Sequence, residues 1–426
     1  MSEYTTYFEE MGRRAKAAGV PLQRATTAAK NDVLTRMADG LIVRSAEILA
    51  ANALDMAAAE GNIPDIMKDR LRLTEERIVQ MADGVRALIE LDDPVGKTLH
   101  TTKRPNGLHI EKVTVPLGVI AMIYEARPNV TVDAGALAFK TGNAVILRGG
   151  KEALETNKVL IDILRAAAAE GGFSADSLQL VELTDREAVR ELIHLRSYID
   201  VVIPRGGAGL IKRITEESTV PVIETGSGVC HVYIDDELTD ANISPVDIVI
   251  NAKVQRPSVC NSAETLLVHE AVSPDRIRTV AEALVAEGVR LHVDETAYSL
   301  LKDAISPEYL LLADEASWST EYNDLDMNVA VVASVEEAVR HINTYGTKHS
   351  EAILTDSAAR AEAFVAGVDA AAVYVNASTR FTDGFEYGFG AEIGISTQKL
   401  HARGPMGLDA LTSYKYVIRG TGQIRS

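Results

Sequence analysis

The apolar positions change period twice along the chain. From about Thr5 to Glu90 they recur at helical spacing: Val33, Leu34, Met37 and Leu41 share one face, and an alanine-rich stretch from Ala46 to Glu60 continues the pattern. Pro94 closes this region. The next segment, TTKRPNGLHIEKVTV, has strand character, and Asn106-Gly107 at its centre predicts a type I′ hairpin turn. From Val113 short apolar runs alternate with helical segments. Runs at 119–124, 144–147, 178–181, 199–203 and 220–223 read as buried parallel strands, with helices at 130–140, 154–170, 186–195 and 210–217 between them.

The alternation restarts after Gly228. HVYID, ETLLVH, RLHVD, MNVAVVAS, EAILT and AAVYVN are the strand runs, separated by helices such as 274–287 and 335–343. The pattern predicts an α/β protein with two doubly wound parallel-sheet domains. Its last strand, LTSYKYVIRG, is expected beside the hairpin in a small three-stranded sheet.

Composition narrows the function. The 426 residues exceed one hydrophobic core. With 43 Lys and Arg against 61 Asp and Glu, the net charge is −18, which repels polyanions and argues against nucleic-acid or anionic-membrane binding. Two cysteines make no disulfide framework. The segment MSEYTTYFEEMGRRAKAAG lacks the apolar core of a signal peptide, and the longest apolar run, 115–124, is broken by Pro116 and Gly118. A cytoplasmic protein is expected. The nine histidines include no HExxH and the chain no CxxC, so no metal site is expected.

The candidate chemistry centres on KVQRPSVCNSAETLLVH. Cys260 stands in a polar loop just before an apolar strand run, the placement of a nucleophile rather than of a core filler. Cys230, inside GVCHVYID, reads as packing. Glu224 ends a strand run and meets Gly226 and Gly228, where a carboxylate can act as general base. Strand 144–147 ends in Arg148-Gly149-Gly150-Lys151, and strand 199–203 in Pro204-Arg205-Gly206-Gly207-Ala208-Gly209. Such turns suit a cofactor phosphate, and the basic Arg148 and Lys151 suit the 2′-phosphate of NADP. Arg127, Lys253, Arg256 and Arg380, with Lys399, His401 and Arg403, supply local positive charge for an anionic substrate.

Taken in order, PLGVIAMIY, TGNAVILRG, the strand-end glutamate, the cysteine loop and AEIGISTQKLHARGPMG resemble the aldehyde dehydrogenase superfamily. The long blocks VPLGVIAMIYEARPNVTVDAGALAFKTGNAVILRGGKEA and KVQRPSVCNSAETLLVH are similar to its branch that reduces L-glutamyl 5-phosphate with NADPH. The resemblance runs from Val115 nearly to the end of the chain. It implies Cys260 as nucleophile and Glu224 at the general-base position. It also implies Arg148, Gly149, Lys151, Gly206, Gly207 and Glu321 as contacts of NADPH or NADP. Oxidising members carry an asparagine just after the first strand. Here that stretch reads Tyr124-Glu125-Ala126-Arg127-Pro128-Asn129, which leaves Asn129 as the candidate oxyanion donor. Arg127, Arg256 and Arg380 become candidate substrate contacts.

The same resemblance divides the chain into a cofactor domain (1–100 and 116–227), a catalytic domain (228–410) and an oligomerisation element (101–115 and 411–426). A homo-oligomer, dimer or tetramer, is expected, as is contact with glutamate 5-kinase. Rival readings stay open: an aldehyde oxidiser, a reductase of a related acyl phosphate such as an N-acetylated one, a catalytically silent scaffold that binds glutamate 5-kinase, and a cysteine hydrolase needing a histidine beside Cys260, for which His269 is nearest in sequence.

Overall fold

The computed structural model describes residues 3–63, 65–239 and 243–425. The chain divides into two compact units. The first runs to Thr225 and takes in Gly388–Gly394 and the chain from Pro405 on; the second comprises Gly226–Tyr387 and Ile395–Gly404.

The first unit begins with helices Glu3–Leu22, Thr27–Val43, Ser45–Ala59, Asp65–Leu71 and Glu75–Glu90. Hydroxyls start two of them: Thr26 accepts the Ala29 N–H and Thr74 the Arg77 N–H, satisfying amides that a helix start leaves unpaired. A four-stranded parallel sheet follows, in the order Leu178–Leu180, Ala144–Arg148, Val119–Tyr124, Val201–Arg205. Every residue of Val119–Tyr124 is buried, which explains its unbroken apolar run. At the head of that strand Gly118 takes φ +127°, and a Cβ there would sit 2.1 Å from the Asp200 carboxylate that accepts the Val119 N–H.

The expected strand at 220–223 shrinks to a single bridge, Val202 to Val222. Beside it, Val202 N–H donates to Pro221 O and Ile223 N–H to Val202 O. Pro221 has no N–H to extend the ladder.

The hairpin pairs Thr98–Lys103 with His109–Pro116, and Thr412–Arg419 joins His109–Pro116 antiparallel in a three-stranded sheet. The turn differs from expectation. Gly107 donates to the Arg104 carbonyl and has φ +87°, whereas Asn106 does not have positive φ. Proline at the second turn position favours a type I turn followed by a left-handed glycine, so Pro105 overrides the Asn-Gly signal.

The second unit holds a seven-stranded parallel sheet. Its order is Leu310–Leu312, Arg290–Val293, Asp326–Val332, Ala263–His269, Cys230–Ile234, Ser350–Leu354, Ala372–Val375. The central strand Ala263–His269 is buried throughout although it contains Glu264 and Thr265. Helices Pro245–Val254, Pro274–Ala286 and Val335–Tyr345 start from the serines 244, 273 and 334, whose hydroxyls accept amides of the first turn.

Candidate functional site

The cysteine loop is fixed from several directions. It joins helix Pro245–Val254 to strand Ala263–His269, and Cys260 in it is half-buried. The Asn261 side chain donates to the carbonyls of Arg380 (3.2 Å) and Thr382 (2.9 Å), while the Thr379 hydroxyl donates to the Asn261 carbonyl (2.7 Å). Cys230 reaches the loop from the neighbouring strand, its thiol 3.2 Å from the Cys260 carbonyl oxygen. Burial pushes that thiol up, so Cys230 stays neutral and packs, as its sequence context suggested. Gly228 presses against the same carbonyl. A Cβ on Gly228 would lie 1.4 Å from the Cys260 oxygen, so no other residue fits there.

Glu321 comes to the same place: its Oε1 accepts the Gly228 N–H at 2.7 Å. Arg380 and Arg256 also belong here. Arg380 Nε donates to Gln255 at 2.9 Å. Its pKa is lowered first by burial and then by Arg256, with Cys260 acting in the opposite direction, so both guanidiniums lie within electrostatic reach of the cysteine loop. Arg256 is exposed. The second unit therefore gathers Cys260, Glu321, Arg256 and Arg380 around one loop.

Several basic residues are not available as expected. Lys253 is wholly buried and paired with Glu264 at 2.7 Å, because its position on the last helical turn faces the sheet. Lys399 and Arg403 both bind Asp369, at 3.1 and 2.8 Å, and Arg403 foremost holds that carboxyl down at about 2. His269 ends the strand that begins at Ala263, about 20 Å along it. Its ring accepts the Ala271 N–H. It is no partner for Cys260.

In the first unit the strand-end turns sort into two kinds. Gly149 is a packing glycine: a Cβ would lie 2.3 Å from Asn157 Nδ2 and 3.1 Å from the Tyr124 ring. Beneath it Tyr124, Thr131 and Asn157 form a buried hydrogen-bonded chain, at 2.6 and 2.7 Å. Arg148 donates to the Thr184 carbonyl at 2.9 Å, and Lys151 is exposed. Gly206 is likewise confined, since a Cβ there would lie 2.8 Å from the Glu125 carboxyl carbon, whereas a Cβ on Gly207 would meet nothing within 4 Å. Gly207 precedes helix Ala208–Glu217, and its N–H is held by Glu125 Oε2 at 3.0 Å. An anionic oxygen thus already occupies this helix start, which is the chemistry a cofactor phosphate requires. The Gly206-Gly207 turn fits a cofactor phosphate on this ground.

Asn129 opens helix Asn129–Lys140, and its side-chain amide donates to Asp133 Oδ2 at 3.0 Å. Burial raises the Asp133 carboxyl to about 6, with Asn129 and then Arg205 opposing. Arg127 and Glu224 are half-buried. Sequence reasoning missed Glu264, Glu125 and Asp133. Glu264 did carry a signal, a lone charge in the apolar run ETLLVH.

Among the described residues no group of three His, Cys, Asp or Glu is placed to hold a metal ion, and no helix is long and apolar enough to cross a membrane.

Residues 5–297 match the aldehyde dehydrogenase family. The gamma-glutamyl phosphate reductase of Moorella thermoacetica is 54% identical over 97% of this chain and 97% of its own length. That of Listeria welshimeri is 52% identical over 97% and 98%. The crystal structure of gamma-glutamyl phosphate reductase from Thermotoga maritima superposes with a TM-score of 0.93 at 45% identity, covering 98% of this chain and 99% of that one. The chain belongs to the aldehyde dehydrogenase family.

Proposed function

We propose that the chain reduces L-glutamyl 5-phosphate to L-glutamate 5-semialdehyde and phosphate, with NADPH as reductant, in the second step of proline biosynthesis from glutamate. The observation that carries this reading is the cysteine loop. A half-buried Cys260 is held by Asn261, Thr379, Cys230 and Gly228, with two guanidiniums within reach for an anionic substrate. Full-length relatives of that name support it.

The Cys260 sulfur attacks the acyl carbon, and phosphate departs with the electron pair of the broken C–O bond. Phosphate is a good leaving group, so this step needs little acid assistance. The resulting thioester has a carbonyl that sulfur stabilises poorly, which keeps it open to reduction. Family members use NAD(P), and the bound cofactor supplies the hydride that reduces the thioester carbon. Collapse of the hemithioacetal releases the aldehyde and returns the thiolate. Arg256 and Arg380 hold the substrate's phosphate and carboxylate charges. Arg127 contributes to the same recognition, and Asn129 donates to the developing oxyanion. Glu224 does not activate water in this reading, since hydrolysis of the thioester would waste the activated acid.

NADPH rather than NADH is favoured by Arg148 and Lys151. Gly206 and Gly207 would hold the cofactor phosphate in place of the Glu125 carboxylate, and Glu321 would serve as a further cofactor contact. A homo-oligomer forms through the hairpin and Thr412–Arg419, whose Tyr414, Tyr416 and Ile418 are exposed. Contact with the kinase that makes the acyl phosphate, in the cytoplasm, belongs to the same reading.

The test is the reverse reaction. Glutamate 5-semialdehyde and NADP⁺ are supplied with and without inorganic phosphate, and NADPH is followed by absorbance. Reduction that needs phosphate and vanishes in Cys260→Ala is expected. Reduction without phosphate would make the chain an aldehyde oxidiser, with Glu224 as the base.

A further inference from the structure

Lys253 and Glu264 are both fully shut off from solvent, with Nζ 2.7 Å from Oε2. Taking an ammonium and a carboxylate out of water costs several kcal/mol per ion, and well-packed apolar side chains of similar volume often serve stability equally well. Stability alone does not account for this pair; its position offers another reason.

Lys253 lies on the last turn of helix Pro245–Val254, and Glu264 is the second residue of strand Ala263–His269. The ion pair therefore closes the base of the loop that carries Cys260. A second tie lies beside it, the Ser262 hydroxyl donating to the Lys253 carbonyl at 3.3 Å. The free oxygen of Glu264, Oε1, accepts the N–H of Asn323 at 3.3 Å, and Asn323 holds a left-handed φ of 56°. Two residues earlier, Glu321 holds the Gly228 N–H, and Gly228 bears on the Cys260 carbonyl. The contacts form a closed circuit: cysteine loop, Lys253, Glu264, Asn323, Glu321, Gly228 and back to Cys260. Burial raises the Glu264 carboxyl to about 7 and Lys253 opposes that rise.

We propose that Lys253 and Glu264 are positioning residues that set the backbone of the Cys260 loop against Gly228 and Glu321, so that the reactivity of the Cys260 thiol depends on the pair. The inference rests on Cys260 being the nucleophile.

The test separates position from stability. In the double variant Lys253→Met/Glu264→Leu, apolar packing replaces the pair, and a melting temperature within a few degrees of the parent is expected. Alkylation of Cys260 by iodoacetamide, located by peptide mass so that Cys230 is counted apart, should slow about tenfold or more. The kcat for phosphate-dependent semialdehyde oxidation should fall at least as much, with KM little changed. A double variant that melts like the parent and keeps its alkylation rate and kcat would overturn the proposal. If the double variant does not fold, Glu264→Asp carries the test. It keeps the charge but draws it back by one methylene, and unchanged alkylation there would equally overturn the idea. Alkylation needs no substrate. Activity surviving in Cys260→Ala would sink the proposed function instead, and would leave the alkylation result standing.

Discussion

The two units prepare for chemistry in opposite ways. At the strand ends of the first, the proposed contacts belong to the backbone, foremost the Gly207 N–H at a helix start. Around the cysteine loop of the second, buried side chains reach across long stretches of sequence. Asn261 bonds to Arg380 and Thr382, and Lys253 pairs with Glu264 inside the protein. Holding a phosphate needs only oriented amides and room, which glycine provides. Holding a nucleophile in one place needs a loop that cannot drift, and fixed side-chain partners provide that.

The sharpest way to break this contrast is to remove the proposed nucleophile alone. Cys260→Ser should lower turnover by about a thousandfold or more, because a serine hydroxyl without a base is a far weaker nucleophile. NADPH binding, measured by quenching of the single Trp318 or by calorimetry, should be unchanged. Loss of both together would show that the two units do not divide the work. Gly228→Ala comes next. Its Cβ would collide with the Cys260 carbonyl, and the loop must shift to accept it. We expect at least a tenfold loss of kcat, about 1.4 kcal/mol of transition-state stabilisation. Gly207→Ala is the control, since its Cβ meets open space. It should weaken cofactor affinity only slightly and leave the alkylation of Cys260 untouched.

These expectations track what was legible in the sequence. The cysteine loop and the glycine turns are local patterns, and both are where the sequence placed them. The hairpin was legible as a hairpin, but its turn type was decided by Pro105 rather than by the Asn-Gly pair. Lys253 was legible as a charge and not as a buried one, because its partner lies eleven residues on, across the loop. Arg148 was legible as a basic strand-end residue, whereas its donation to the Thr184 carbonyl, 36 residues away, was not. Strand Leu310–Leu312 was missed because it spans three residues at the sheet edge, two of them exposed, too short to show a period.

A moderate effect tests the backbone side of the contrast. Glu125 holds the Gly207 amide that the cofactor phosphate is proposed to take. Glu125→Gln replaces a charged competitor with a neutral one, so NADPH should bind a few-fold more tightly, in line with about 0.3–1 kcal/mol for a charge at a helix start. Weaker binding would mean that Glu125 orders the turn rather than competing for it.

The smallest effects concern pH, and there the two units should move in opposite directions. Burial raises Asp133 of the first unit to about 6, above the usual carboxylate value of about 3.9. Its favourable contribution is complete below about pH 4 and is lost as pH rises towards 6. Burial foremost lowers His341 of the second unit to about 3, from an ordinary value near 6.5. Its contribution is complete above about pH 6.5 and is lost as pH falls towards 3. Single variants isolate each group from other buried carboxyls such as Glu351, which burial also raises. Relative to the parent, Asp133→Asn should gain stability as pH rises from 4 to 6, whereas His341→Gln should gain as pH falls from 6.5. Each slope approaches about 1.4 kcal/mol per pH unit at its steepest. Hydrogen exchange resolved by unit reads the two separately. Parallel slopes in the two variants would show that desolvation does not set both groups, and that the difference between the units ends at their binding loops.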